Sequence, residues 1–399
     1  MVEVQYDAVV AGAGPAGSTV AGGLAQGGFR VLLLEEHRDV GRPLHCSGLV
    51  TPRTLEEAGV AEEIVLNRVR GADIFAPSGR SLSLGDGDSR ALVIDRVALD
   101  RALVARAQER GAELEMGVKV VAAERAVGGL RVTLQDRSQR QWTVGTRLLV
   151  GADGAHSRVA RALGMAGAGE RICGLGGEGV LPGVEEDRVR VYVGKSLAPG
   201  WFAWTIPLGG GRVRLGVGSG NGLKPIECLR RLFATHPEQF RGWKASFWTG
   251  GTIPLWSQRR IVQDNVMLVG DAAGQVKPTS GGGIYPGLVG ARLAAQVGRE
   301  ALARDEVTED SLSAYPRAWQ QELGQEFRRG SDLRRVYVSL EDRDFDRLLG
   351  IFGHSALLRA ANRYGDIDFP GRLFHRLVRL APALWWFVRG PLRYVPLWR

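Results

Sequence analysis

Several things are scarce in this chain, and each scarcity removes a class of protein. Only three cysteines occur in 399 residues, Cys46, Cys173 and Cys228. Their wide spacing excludes a disulfide framework and a thiolate zinc site, and it suits a reducing compartment. The six histidines show no ligand spacing, so no metal is expected. No apolar run approaches the length of about 18 residues that a transmembrane helix needs. The chain enters an apolar strand at once, without a basic, signal-like leader, and a cytoplasmic protein is expected. Repeats and low-complexity segments are absent as well. Negative charge falls short of positive: 43 acids face 52 lysines and arginines, for a net charge of +9, and the excess is nearly all arginine. Such a surface suits nucleic acid, anionic membranes or phosphorylated small molecules. No nucleic-acid module is recognisable, so nucleic acid is not an expected partner.

Glycine is what the chain has in quantity, 56 residues, and much of it is ordered into motifs. Tyr6 to Ala11 is short, β-branched and apolar, and reads as a buried strand. Gly12-Ala13-Gly14-Pro15-Ala16-Gly17 follows, then an Ala/Leu-rich helix to Gln26 that stops at Gly27-Gly28. A second apolar strand, Phe29 to Leu34, ends on Glu35-Glu36. Strand, glycine turn, helix, strand and acid form the complete dinucleotide-binding context. Gly12 permits the tight turn, Gly14 admits a pyrophosphate to the backbone, and Gly17 lets the helix lie against the strand. Free N–H groups at the helix start face the phosphates, and the acid accepts from a ribose diol. This pattern alone does not separate NAD from FAD.

Two further apolar strands end on acids. Leu148 to Val150 runs into Gly151-Ala152-Asp153-Gly154 and a helix from Ser157; Val266 to Val269 runs into Gly270-Asp271. A helix over 54–68 is expected, then short strands over 69–94 and an amphipathic helix capped by Asp95 from Arg96 to Arg110. Strands are expected at about 113–121, 130–135 and 142–150, hairpins over 170–220, a helix over 225–242, another from Tyr285 to Arg304, and helices from 308 onward. A second literal GxGxxG at Gly174–Gly179 precedes Val180-Leu181-Pro182 and no helix, so it reads as a loop or as backbone on the flavin side rather than a phosphate site. Nucleotide-domain elements thus flank a β-rich middle. The expected division is a discontinuous nucleotide domain (1–70, 95–165 and 262–306), an antiparallel-sheet substrate domain (71–94 and 166–261) and a helical region (307–399). The fold class is α/β: a Rossmann-like domain with an inserted antiparallel sheet.

The ordered set of glycine turn, Asp153-Gly154 with Ser157 and Arg158, and Gly270-Asp271 resembles the FAD-binding fold of para-hydroxybenzoate hydroxylase and its relatives. An acid at Asp271 suits the ribityl chain that FAD has and NAD lacks. In that fold an arginine falls three residues after the serine, whereas here Ala160 holds that place and Arg161 follows. Within the fold the chain resembles the geranylgeranyl reductase family over nearly its whole length. The shared stretches are Pro43-Leu44-His45-Cys46, Arg96 to Asp100, Phe202-Ala203-Trp204-Thr205-Ile206-Pro207, and Gly270-Asp271-Ala272-Ala273 through Pro278 to Gly281-Gly282-Gly283-Ile284. Phe202 and Ile206 stand where the family carries Tyr and Phe, and Lys277 where archaeal members carry an acid. The resemblance implies FAD contacts at Ala16, Glu35, Cys46, Ser47, Arg96, Val120, Asp271, Gly283 and Ile284. It also implies a reductant, NAD(P)H or reduced ferredoxin.

Reduction of an isolated prenyl double bond adds a hydride to one carbon and a proton to the other. The unactivated alkene develops carbocation character, which aromatic faces stabilise. Trp204 is the expected catalytic aromatic, with Phe202, Ile206 and Pro207 completing the substrate wall. Cys46 is expected as a proton relay or as an element that sets hydride geometry; its bland alternative is a small buried hydrophobe. His45 reads mainly as a solvated or loop-bonding histidine. The substrate expected is a prenyl lipid, prenyl diphosphate or prenyl quinone. The same fold also supports monooxygenases and halogenases, but a halogenase carries two tryptophans separated by one residue, whereas two residues separate Trp201 from Trp204. The stretch from Leu373 to Arg399, rich in Arg, Leu and Trp, reads as an interfacial anchor, which would hold the protein at the inner face of the cell membrane.

Overall fold

The computed structural model describes residues 5–373 apart from 86, 168, 221 and 258. Apart from Leu373 itself, the expected membrane anchor therefore lies outside the described residues. Among them no helix is long and apolar enough to cross a membrane, and no cluster of three or more metal-ligating side chains occurs.

The first strand, Tyr6–Ala11, sits between Val31–Glu35 and Gln141–Gly151, parallel to both. Val266–Leu268 extends this parallel sheet beyond Gln141–Gly151, and Glu113–Met116 closes the other side beyond Val31–Glu35. An antiparallel hairpin of Val118–Ala126 and Gly129–Asp136 adds to the Gln141–Gly151 strand. Parallel strands covered on their faces must be apolar throughout, and Val9, Val10, Val31, Leu33, Leu148, Leu149 and Val150 are each fully buried. The helices Pro15–Ala25, Arg96–Glu109 and Ile284–Ala303 are packed together around Pro15–Ala25.

A second sheet of seven strands holds, in order, Lys244–Pro254, Arg171–Val180, Arg212–Ser219, Phe202–Gly209, Arg188–Val193, Gly71–Phe75 and Ser81–Leu84. It departs from the expectation in three ways. Arg188–Val193 pairs in parallel with Gly71–Phe75, so the sheet is mixed. Ala91–Ile94 leaves it to join Leu49–Val50 and Val65–Val69 in a three-stranded sheet between the layers. The segment Gly174–Gly179, read above as a loop, is the middle of a strand paired on both sides. Two of its glycines are required: a Cβ on Gly177 would collide with Trp248 and the Phe247 carbonyl, and one on Gly179 with Trp243 and the Lys244 carbonyl.

The expected helix over 54–68 is shorter. It spans Pro52–Ala58, stops at left-handed Gly59 (φ 60°), and gives way to a 3-10 turn and the Val65–Val69 strand. The helix expected over 225–242 likewise ends at Thr235, before a 3-10 turn at Pro237–Phe240. Helices fill most of 309–364.

Candidate active site

The three sequence motifs converge. Gly12, at φ +100°, lies so close to the Ala152 carbonyl that no side chain fits, and a Cβ on Gly17 would collide with the Gly12 carbonyl. Gly270 in turn abuts Ala16, where a Cβ would come 3.0 Å from the Ala16 methyl. The Pro15–Ala25 helix starts at Gly14 with proline in its first turn and no side-chain cap. Nothing lies within 4 Å of the place a Gly14 Cβ would occupy. Uncapped N–H groups beside open space are what a pyrophosphate requires.

Glu35 reaches back to this turn: its Oε2 accepts from Ala13 N at 3.0 Å, and its Oε1 accepts from His37 N at 3.0 Å. Glu36 is exposed, as strand alternation dictates. Asp153 spends both carboxylate oxygens on the next helix start, accepting from Ser157 Oγ at 2.5 Å and from Arg158 N at 2.6 Å. Its observed contacts thus serve the wall of the cradle. Ala160 is buried, and the displaced Arg161 donates to the His156 carbonyl at 2.8 Å. The Val120 side chain belongs to the core of the first sheet, which leaves its backbone for any ligand contact.

Arg96 carries the strongest sign of a missing ligand. Its Nη2 donates to Asp100 Oδ2 at 2.9 Å, but Nε and Nη1 are buried without a partner, as is Asp100 Oδ1. Burial opposes the Arg96 charge, yet the charges of Asp100, Cys46 and Asp271 together hold its pKa above the ordinary value. Asp100, Cys46 and Asp271 thus all act electrostatically on one buried guanidinium. Burial pushes Asp271 up to about 6 against the pull of Arg96, and does the same to Asp100. Orphaned donors of this kind cost about 1–3 kcal/mol each unless a ligand satisfies them. A Cβ on Gly283 would come 2.9 Å from Asp271 Oδ1, so the glycine loop and this acid touch. Gly283 then starts the 20-residue helix Ile284–Ala303, which has no side-chain cap. These residues fit an FAD: a glycine cradle for the diphosphate, Glu35 and Asp271 for hydroxyls, and Arg96 with an uncapped helix start for the electron-rich ring edge.

On the facing sheet, Phe202 and Trp204 stand edge to face at 5.8 Å, and Trp201 stacks on Phe202 at 4.9 Å. The Trp201 and Trp204 indoles lie over Gly218 and Gly216 of the neighbouring strand, where any side chain would collide with them. Gly281 brings the cofactor loop to this cluster, since a Cβ there would come 3.1 Å from Trp201 Cζ2. The structure therefore brings Trp204 and Phe202 together with the glycine loop. Ile206 shares the strand face of Phe202 and Trp204 and is buried beside Trp204 among Val69, Ala91 and Val93, whereas the strand pleat turns Pro207 to the opposite face.

Three features escaped the sequence. Arg214, 7% exposed, donates to the Ser47 carbonyl at 3.0 Å and to the Ile94 carbonyl at 3.1 Å while paired with Glu178, and so clamps the Cys46–Gly48 loop. The only available signal was an arginine in the apolar stretch Arg212–Ser219. The Cys46 sulfur accepts from Gly48 N at 3.3 Å. Thr249 Oγ1 lies 2.7 Å from His45 Nδ1, and burial followed by the charge of His37 pushes the His45 pKa down. The third is the bare stretch of sheet at Gly174 and Gly176, where a Cβ would meet nothing nearer than backbone carbonyls at 3.6 and 3.8 Å.

Comparison with known proteins agrees with this geometry. A family profile described as an FAD binding domain matches residues 5–189. Digeranylgeranylglycerophospholipid reductase 2 of Methanopyrus kandleri is 31% identical over 373 residues, covering 89% of this chain and 92% of its own. Digeranylgeranylglycerophospholipid reductase of Methanothrix thermoacetophila is 29% identical, covering 97% and 99%. The crystal structure of a geranylgeranyl bacteriochlorophyll reductase-like protein from Thermoplasma acidophilum superposes with a TM-score of 0.82 at 25% identity, covering 94% of this chain and 99% of that one. A flavin-dependent brominase (17% identity, TM-score 0.71, covering 95% and 99%) shares the fold. Fold and site define an FAD-dependent oxidoreductase of the para-hydroxybenzoate hydroxylase type. More narrowly, the chain belongs to the geranylgeranyl reductase family.

Proposed function

We propose that this protein saturates isolated C=C bonds in the geranylgeranyl or polyprenyl chain of a lipid. The observation that carries the reading is the junction of the Arg96–Cys46–Asp271 group and the Gly281–Gly283 loop with the Trp201–Phe202–Trp204 aromatics. When bound, FAD supplies the hydride equivalent. The protein supplies the rest. Trp204 and Phe202 present aromatic faces and exclude water where the alkene becomes cationic, a stabilisation on the order of 1–2 kcal/mol when desolvated. The Cys46 thiol gives its proton to the second carbon. Arg214 holds the loop that presents Cys46. NAD(P)H or reduced ferredoxin, docking transiently, is the source of electrons. Peripheral contact with the membrane, through the basic, tryptophan-rich stretch from Leu373 to Arg399, is the route by which a lipid substrate arrives.

The test is anaerobic stopped-flow. The reduced holoprotein should be reoxidised by a geranylgeranyl lipid in the absence of oxygen. Reoxidation only with O₂, accompanied by a hydroxylated product, would replace the reading with a monooxygenase. In C46A, reoxidation should slow by about 10²-fold, the scale of a lost proton donor; an unchanged rate removes Cys46 from the mechanism.

A further inference from the structure

Beside the cofactor cradle lies a second cleft, of about 420 Å³, lined by His37, Arg38, Arg42, Arg137, Phe247 and Thr249 among others. This is within the size range of small-molecule sites. Its charge is uneven. Arg38, Arg42 and Arg137 are exposed, and among the described residues none has a carboxylate within ion-pair distance; Asp39 is the one acid in the lining. His37 is held by Glu35, with its Nδ1 2.6 Å from Oε1. The facing wall is Phe247, 41% exposed, on the Lys244–Pro254 edge strand. Three guanidinium groups beside an exposed aromatic, against the single carboxylate of Asp39 in the same lining, form a receptor for a phosphate ester that carries an apolar group.

The cleft is joined to the active site by the sheet itself. Thr249, in the cleft wall, pairs with Gly176; Gly176 pairs with Gly216; and Gly216 pairs with Trp204. This row crosses four strands, a span of about 15 Å at roughly 4.8 Å per strand. Its floor is bare at Gly176 and neighbouring Gly174. His45, bonded to Thr249, stands over Gly251 at the cleft end of the row, with its Cβ 3.7 Å from where a Gly251 Cβ would sit.

We propose that this cleft binds the phosphate of the prenyl substrate, so that Arg38, Arg42 and Arg137 anchor the head group while the chain runs over the glycine floor to Trp204. The proposal rests on the prenyl-reductase reading and adds to it an anionic phosphate ester, in place of a quinone or chlorin head. A position so far from Trp204 also makes the arginines measure out which double bond meets the reactive centre.

Binding to the FAD-loaded full chain tests it by calorimetry, with geranylgeranyl phosphate and geranylgeraniol as probes. The wild type should favour the phosphate by about tenfold or more, and R38A/R42A/R137A should lose that preference while its affinity for the alcohol moves less than about twofold. R42E alone, a single exposed change, should shift the preference in the same direction and guards against misfolding of the triple variant. A wild type without preference, or a triple variant that keeps it, overturns the proposal. So does displacement of geranylgeranyl phosphate by an equal concentration of inorganic phosphate, which would make the site one for the free anion. A variant weakened only toward NADP⁺ overturns it too, by assigning the cleft to a dinucleotide. Chain reduction is scored separately on the same samples, with dithionite as electron source. If the wild type reduces no prenyl chain yet shows the binding preference, the functional reading fails and the anion site stands.

Discussion

At the scale of single residues, the protein carries polar groups that make sense only with a ligand in place. Arg96 leaves two buried nitrogens without partners. R96M alone would strand the buried Asp100 carboxylate, so the test uses R96M/D100N, which removes both charges: it should leave the apoprotein about as stable as the wild type, while FAD affinity, read by flavin fluorescence, falls about 10- to 100-fold. Equal loss of apoprotein stability and FAD affinity would make Arg96 merely structural. Asp271 offers a second test. Burial raises its pKa to about 6, above the ordinary 3.8, so the folded state favours the protonated form. That contribution to apoprotein stability is full below pH 4 and is lost as pH rises through 6. D271N lacks the titration. Relative to wild type it should gain up to about 3 kcal/mol between pH 4 and pH 8 in urea unfolding of the apoprotein. A difference independent of pH would contradict the assignment.

At the scale of elements, the aromatic strand works because its neighbour is stripped of side chains. G216A should push the Trp204 indole off the sheet, costing about 10-fold or more in turnover while FAD content stays near that of wild type. Loss of FAD instead would mean that Trp204 supports the cradle and not the substrate. The same neighbourhood shows where sequence is informative and where it is not. The cradle was legible because its elements are local: a β-branched run, glycines at fixed offsets and a helix follow within thirty residues. The alternation of Phe202 and Trp204 was legible for the same reason. Gly174–Gly179 was not, since glycine disfavours strands and only Trp248, Trp243 and the Lys244 carbonyl, all distant in sequence, require it there. Pro207 matched a motif, but a motif does not state which face of a strand meets the opening. Arg214 and Glu178 likewise acquire their role from strand register.

At the scale of the whole molecule, the cofactor loop is tied to the helical end of the chain. Lys277 Nζ donates to Asp368 Oδ1 at 2.7 Å, and Asp368 Oδ2 accepts from Thr51 Oγ1 at 2.5 Å and from Arg53 Nη1 at 3.2 Å. Both members of the ion pair are buried. D368A strands the lysine charge and should cost about 3–5 kcal/mol of stability. Removal of the more exposed neighbour in D366A should cost no more than about 1 kcal/mol. Urea midpoints compare the two, and equal losses would deny the buried pair its special role. This arrangement joins segments some 90 and 300 residues apart, so no local reading of the chain reveals it. It also means that the segment following the Ser355–Tyr364 helix, which carries Asp368, is part of the cofactor loop's support. Saturation of the prenyl chain is tested most directly by the mass of the product. The reduced holoprotein, incubated with a geranylgeranyl glycerophospholipid in a sealed anaerobic vessel, should yield a lipid heavier by two hydrogens for each bond saturated. An unchanged lipid, or a product that appears only with air and carries an added oxygen, would contradict it.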